Sequence, residues 1–176
     1  EGQLYALPFY GESTMTLVRR DLLKQADIQL PNAPTWDQVA QAARKLHDPA
    51  KGQYGICLRG KPGWGENLSL LTTMVNTHGG QWFDMGWRPQ LQSAAWRQAL
   101  TLYASLLREA GPPGAVANGY NENLALFSAG RCAIWVDATV AGAFVNRPSE
   151  SRVVDRVAFL QAPVATTLQG LSTFPA

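Results

Sequence analysis

Two hydrophobic patterns alternate along the chain. Short apolar or alternating runs read as strands, and between them apolar residues recur every three or four positions, as on one helix face. Residues 4–9 are apolar and end at Pro8-Phe9-Tyr10-Gly11, an extended entry segment. Residues 15–18 read as a short strand and 21–26 as a short helix. Thr35 followed by Gln38 forms a capping box, and Trp36, Val39, Ala40, Ala43 and Leu46 continue that helix to His47. Residues 53–58 read as a buried strand. A helix over 66–77 carries Leu68, Leu71 and Val75 on one face, and Gly79-Gly80 stops it. Three aromatic residues around Asp84-Met85-Gly86 suggest a hairpin over 81–91. Ser93 caps the next helix, striped by Trp96, Ala99, Leu100, Tyr103, Leu106 and Leu107 and ended by Gly111. Asn121 can cap a helix over Leu124 and Phe127, ended by Gly130. A second buried strand covers 132–136, a short helix 138–145, and a last strand 157–160.

Strands alternating with helices predict an α/β domain: a mainly parallel sheet with helices on both faces, in three layers. In such sheets ligands sit beyond the carboxyl ends of the strands. Two loops qualify, 59–67 after the first buried strand and 137–139 after the second.

Composition narrows the class. Hydrophobic residues at 46% and a net charge of +2 are ordinary for a folded globular chain. The charges are scattered, with no dense basic patch, which argues against nucleic acid as a partner. No apolar run reaches the roughly 20 residues of a membrane span. No charged-then-apolar leader pattern is visible at residue 1, so targeting does not reveal the compartment. Neither a CxxC nor a Cys/His cluster occurs, so no metal or other cofactor is expected. His47 and His78 end helices, where capping accounts for them.

The loop 59–67 gathers Arg59, Lys61, Trp64, Glu66 and Asn67. An aromatic plate beside charged and amide groups suits a polyhydroxylated ligand, whose C–H face stacks on the ring while its hydroxyls exchange hydrogen bonds. The same loop is also compatible with Trp64 tucked inward and Glu66-Asn67 merely opening a helix. Trp82 and Trp87 likewise either plug small apolar clusters or face a ligand. Asp137 either accepts a ligand hydroxyl or caps the helix after it. Motifs for nucleophilic, zinc or phosphate-loop chemistry are missing. Glu66 and Asp137 are the one carboxylate pair that a hydrolase reading would use.

Several segments together resemble family 1 extracellular solute-binding proteins. They are Tyr5-Ala-Leu-Pro-Phe-Tyr-Gly-Glu12, Pro34-Thr-Trp-Asp37, Gly79-Gly-Gln-Trp-Phe-Asp84 and Phe127-Ser-Ala-Gly-Arg-Cys-Ala-Ile134. The loop from Tyr54 to Asn67, Asn118-Gly-Tyr-Asn-Glu-Asn-Leu-Ala-Leu-Phe127 and Trp135-Val-Asp-Ala-Thr139 are similar to the branch that binds mannitol, sorbitol and related polyols.

The resemblance implies a periplasmic-binding-protein-like lobe over 1–176, the second of two, entered through a hinge-proximal segment 1–12 that includes Tyr10 and Glu12. It implies a non-catalytic role: capture of a sugar alcohol or monosaccharide for an ABC permease, in the periplasm or outside the cell on a membrane tether. A first lobe of the same protein would supply the other half of the site. Trp64, Glu66, Asn67, Asp137 and Thr139, with Arg59 beside them, would face the ligand. In an oxidising compartment Cys57 and Cys132, both on expected core strands, form either a disulfide or two buried thiols.

Overall fold

The computed structural model describes residues 2, 4–9, 11–63 and 65–165. Four strands form one sheet: β1 (Thr14–Arg19), β2 (Tyr54–Cys57), β3 (Cys132–Ala138) and β4 (Val157–Gln161), in the order β2-β3-β1-β4. Six helices accompany them: α1 (Arg20–Gln25), α2 (Trp36–Leu46), α3 (Glu66–Thr77), α4 (Ala94–Glu109), α5 (Tyr120–Ser128) and α6 (Ala141–Val145). None of the described helices is long and apolar enough to cross a membrane.

The helix-covered sheet agrees with the expected α/β class. Its strand directions are more mixed than expected. β2, β3 and β4 point the same way, but β1 lies between β3 and β4 and runs antiparallel to both. Only the β2–β3 ladder is therefore parallel. Apolar periodicity reports which face a strand buries, not its direction, so β1 looked like any other strand.

Each side of the sheet has its own core. Val18, Ile56, Ile134 and Val136 pack under α1–α4, against Trp36, Val39, Met74, Val75, Ala99 and Leu106. Leu17, Cys57 and Trp135 pack on the other side against Phe127 of α5 and Ala141 and Val145 of α6. The buried helix faces thus match the two apolar faces of the strands, with two departures from the expected stripes: α3 buries Leu70, Leu71, Met74 and Val75 and leaves Leu68 exposed, and α4 leaves Leu100 exposed. Thr35 caps α2 through the capping box with Gln38. At Gly55 a Cβ would stand 1.9 Å from the carbonyl oxygen of Ala43, so α2 lies closer to β2 than any side chain would permit.

Several boundaries move. α5 starts at Tyr120 with Gly119 as its cap, two residues before the expected cap Asn121. β3 runs on to Ala138, and the helix after it is confined to Ala141–Val145, because residues 137 and 138 continue the ladder to β1.

Cys57 and Cys132 are joined as a disulfide between the adjacent parallel strands, with Cα atoms 6.0 Å apart and a sequence separation of 75. A cross-link over so long a loop restricts the unfolded chain. Replacing both cysteines by alanine is expected to lower the unfolding free energy by about 2–4 kcal/mol. Thiol titration of the denatured chain without reductant should find neither sulfur free; recovery of two thiols would contradict it.

Candidate ligand-binding site

Strand direction decides what meets at one edge of the sheet. β2 and β3 end there, and β1, running the other way, begins there. That edge therefore collects Arg59 just past β2, Asp137 near the end of β3, and Glu12 to Thr14 at the entrance to β1. Together with Ser69 and Leu70 of α3 they line a cleft of about 220 Å³.

Arg59 is the centre of the cluster. Its Nε donates to both oxygens of Asp137 at 3.0 Å, and Nη2 donates to Oδ1 at 2.5 Å. Nη1 donates to Glu66 Oε2 at 3.1 Å. Burial alone would lower the Arg59 pKa, but hydrogen bonding and charge from Asp137, then Glu66, outweigh it and raise it. The Arg59 backbone is anchored as well, since its carbonyl accepts from the Tyr103 hydroxyl at 2.7 Å.

Asp137 is more deeply placed than a ligand acceptor needs to be. Its side chain is only 2% exposed. Besides Arg59 it accepts from the indole Nε1 of buried Trp135 at 3.1 Å and from the Ala138 amide at 2.7 Å. It neither caps a helix nor opens onto the cleft as an unpaired acceptor; it seats the guanidinium. Glu66 opens α3, and its Oε2 also accepts from the Tyr120 amide at 3.1 Å. A Cβ at Gly119 would lie 2.8 Å from Glu66 Oε1, so the glycine lets the start of α5 approach this carboxylate.

Glu12 fixes the entering chain to the end of β3. Its Oε1 accepts from the Thr139 hydroxyl, from the Val140 amide at 3.1 Å and from the Ser13 amide at 3.3 Å. The Thr139 hydroxyl is the main reason its pKa lies below the ordinary carboxylate value. Thr139 is thus engaged with Glu12 at the rim. Asn67 lines a different cavity of about 660 Å³, along the outer edge of β2 with Gly60, Tyr103 and Leu107. Trp64 and Tyr10 lie outside the described residues. Trp82 is a plug, packed edge-on against Trp96 at 4.7 Å, whereas Trp87 is exposed.

Tyr120 was not singled out in the sequence. Its ring lies 5.2 Å from the Arg59 guanidinium and 5.5 Å from the Trp135 ring. Its hydroxyl is buried with no hydrogen-bond partner among the described residues. The signal available was its position, at the start of a helix in a segment already marked by resemblance, but helical position alone does not show which cleft a ring adjoins.

The cluster does not offer paired hydrolytic carboxylates. Glu66 and Asp137 hold the same guanidinium, and Asp137 is sealed behind it, whereas hydrolysis needs two carboxyls facing one bond. Among the described residues no group of His, Cys, Asp and Glu could hold a metal ion.

A sheet edge built around a fixed guanidinium presents oriented hydrogen-bond donors at the carboxyl ends of β2 and β3. The model of the bacterial extracellular solute-binding protein family matches residues 1–167, and the chain belongs to that family. It is 52% identical over 172 residues to the mannitol-binding protein of Pseudomonas aeruginosa, covering 98% of this chain and 39% of that one. A solute-binding protein of Agrobacterium vitis solved with bound D-mannitol superposes with a TM-score of 0.88 at 52% identity, over 93% of this chain and 39% of its own. One from Agrobacterium radiobacter in complex with ribitol gives 0.85 at 29% identity, over 95% and 41%. The chain thus spans about two-fifths of the length of these relatives.

The Tyr120 environment is open to a direct check. Burial, then the charge of Asp137, pushes its pKa up to about 12 from 10.0. A folded-state value above the unfolded one means that this group's contribution to stability is complete below pH 10 and is lost as pH rises toward 12. Ultraviolet titration should show one tyrosine ionising near that upper value, and Tyr120→Phe should remove that step. If Tyr120 titrates with the ordinary tyrosines, the placement of its hydroxyl is wrong.

Proposed function

We propose that this chain is the second lobe of a solute-binding protein that captures a sugar alcohol, or a monosaccharide, and delivers it to an ABC importer. The carrying observation is the seated guanidinium. Arg59 has five N–H groups, and three are taken by Asp137 and Glu66. The remaining two can donate to neighbouring hydroxyls of one ligand in the cleft. The mannitol and ribitol bound by the relatives have just such adjacent hydroxyls.

In this reading Arg59 and Glu66 meet the ligand directly, with Trp64 from the same loop, while Asp137 holds Arg59 in place and Asn67 faces the other cavity. Glu12, in the same stretch of sequence as Tyr10, and Thr139 secure the hinge-proximal end of the lobe. No bond is made or broken. A first lobe closes over the ligand, and because the ligand touches both lobes only when they are closed, binding shifts the population toward that state. The closed form then docks on a permease, and the protein works in the periplasm or outside the cell on a membrane tether.

Calorimetry on the protein at the full length of its relatives tests this reading. Mannitol or ribitol is expected to bind, and Arg59→Ala to weaken binding by about 100-fold, the loss of two hydrogen bonds to a charged group. Residues 1–176 alone supply one wall of the site, so they should bind at least about 100-fold more weakly than the full-length protein. Equal affinities would mean that the ligand does not sit between two lobes, and turnover of a glycoside would replace capture by catalysis.

A further inference from the structure

The charges along this cleft do not balance. Arg59 is the one cationic side chain among the described residues lining it, where Glu12 and Asp137 supply carboxylates. Glu66, which does not itself line the cleft, adds a third beside it, 3.1 Å from the guanidinium. One positive and three negative groups leave this wall with a formal charge of −2 (+1 − 3). Lys61, on the same loop as Arg59, is paired with Glu122 at 3.9 Å.

The positive charge is also already shared. Asp137 grips the Nε/Nη2 edge of the guanidinium and cannot turn away without stranding a buried carboxylate and breaking its bonds to Trp135 and Ala138. Glu12 is held ionised by Thr139 and two backbone amides.

Resting on the polyol reading above, we propose that this wall acts as a charge filter, admitting an uncharged alditol and turning away the aldonate or phosphate ester of the same carbon skeleton. A hydroxyl can both donate and accept. It can take the two remaining Arg59 N–H groups and donate to Glu12 Oε2, which carries no hydrogen bond among the described residues. A carboxylate or phosphate can only accept. It would meet a guanidinium that is already neutralised and lie within a few ångströms of two further carboxylates, in a partly enclosed site where solvent screens poorly. Such a repulsive element discriminates between ligands that attraction alone would hold alike.

The experiment is a pair of titrations on the full-length protein at neutral pH and about 0.1 M salt, with D-mannitol and with the aldonate of the same configuration. The alditol should bind at least about 100-fold more tightly. Glu66→Gln, Glu12→Gln or both should narrow that ratio by about tenfold, whichever way the absolute affinities move. A residue that merely supports the fold would weaken both ligands alike and leave the ratio unchanged. An aldonate within tenfold of the alditol overturns the filter while leaving polyol capture standing. A ratio unmoved in both variants overturns its assignment to these carboxylates. If the unsubstituted protein binds no alditol, the polyol reading falls and the filter with it.

Discussion

The arrangement depends on the ion pair between Arg59 and Asp137. An ionised carboxylate that is 2% exposed is tolerable only with partners that replace its hydration, and here a guanidinium, an indole and an amide do so. The pair also ties the site to the sheet register. Arg59 lies two residues beyond Cys57, Asp137 two beyond Trp135, and Cys57 stands opposite Trp135 in the parallel ladder. A slip of one residue would carry the aspartate to the other face of the sheet and leave both charges alone.

The surroundings stiffen the pair. The rings of Phe127, Trp135 and Tyr120 stand in a row, 5.7 Å and 5.5 Å apart, leading from the core to the guanidinium. Trp135 both fills the core and donates to Asp137, so packing of the core and orientation of the charge are one constraint. Glu66 joins loop, α3 and α5 by accepting from Arg59 and from the Tyr120 amide. A long, flexible arginine is thereby presented in one geometry, which lowers the ordering cost of any ligand that meets it.

Much of this was legible in the sequence. The capping box at Thr35, the two buried strands and most of the helix stripes are local patterns and appear where the sequence placed them, but Leu68 and Leu100, expected on apolar faces, are exposed. Arg59, Glu66 and Asp137 could be named because α/β sheets bind at the carboxyl ends of their strands. Their division of labour could not. Whether Asp137 faces a ligand or stands behind an arginine depends on burial, and burial at the end of a strand depends on what packs there from far away in sequence. The direction of β1 was hidden for the same reason: Leu17 and Val18 alternate identically whichever way their strand runs. Asn67, adjacent to Glu66, shares its loop but lines another cavity, because successive residues at the start of a helix point about 100° apart.

The disulfide between Cys57 and Cys132 lies on the two strands whose ends carry Arg59 and Asp137. Cys57 precedes Arg59 by two residues and Cys132 precedes Asp137 by five, so the sulfur bridge runs obliquely between the same two rails that the ion pair joins. Any shear of β2 along β3 must strain both at once. The covalent rung therefore acts as a brake on sliding in the folded state, a mechanical effect separate from its effect on the unfolded chain.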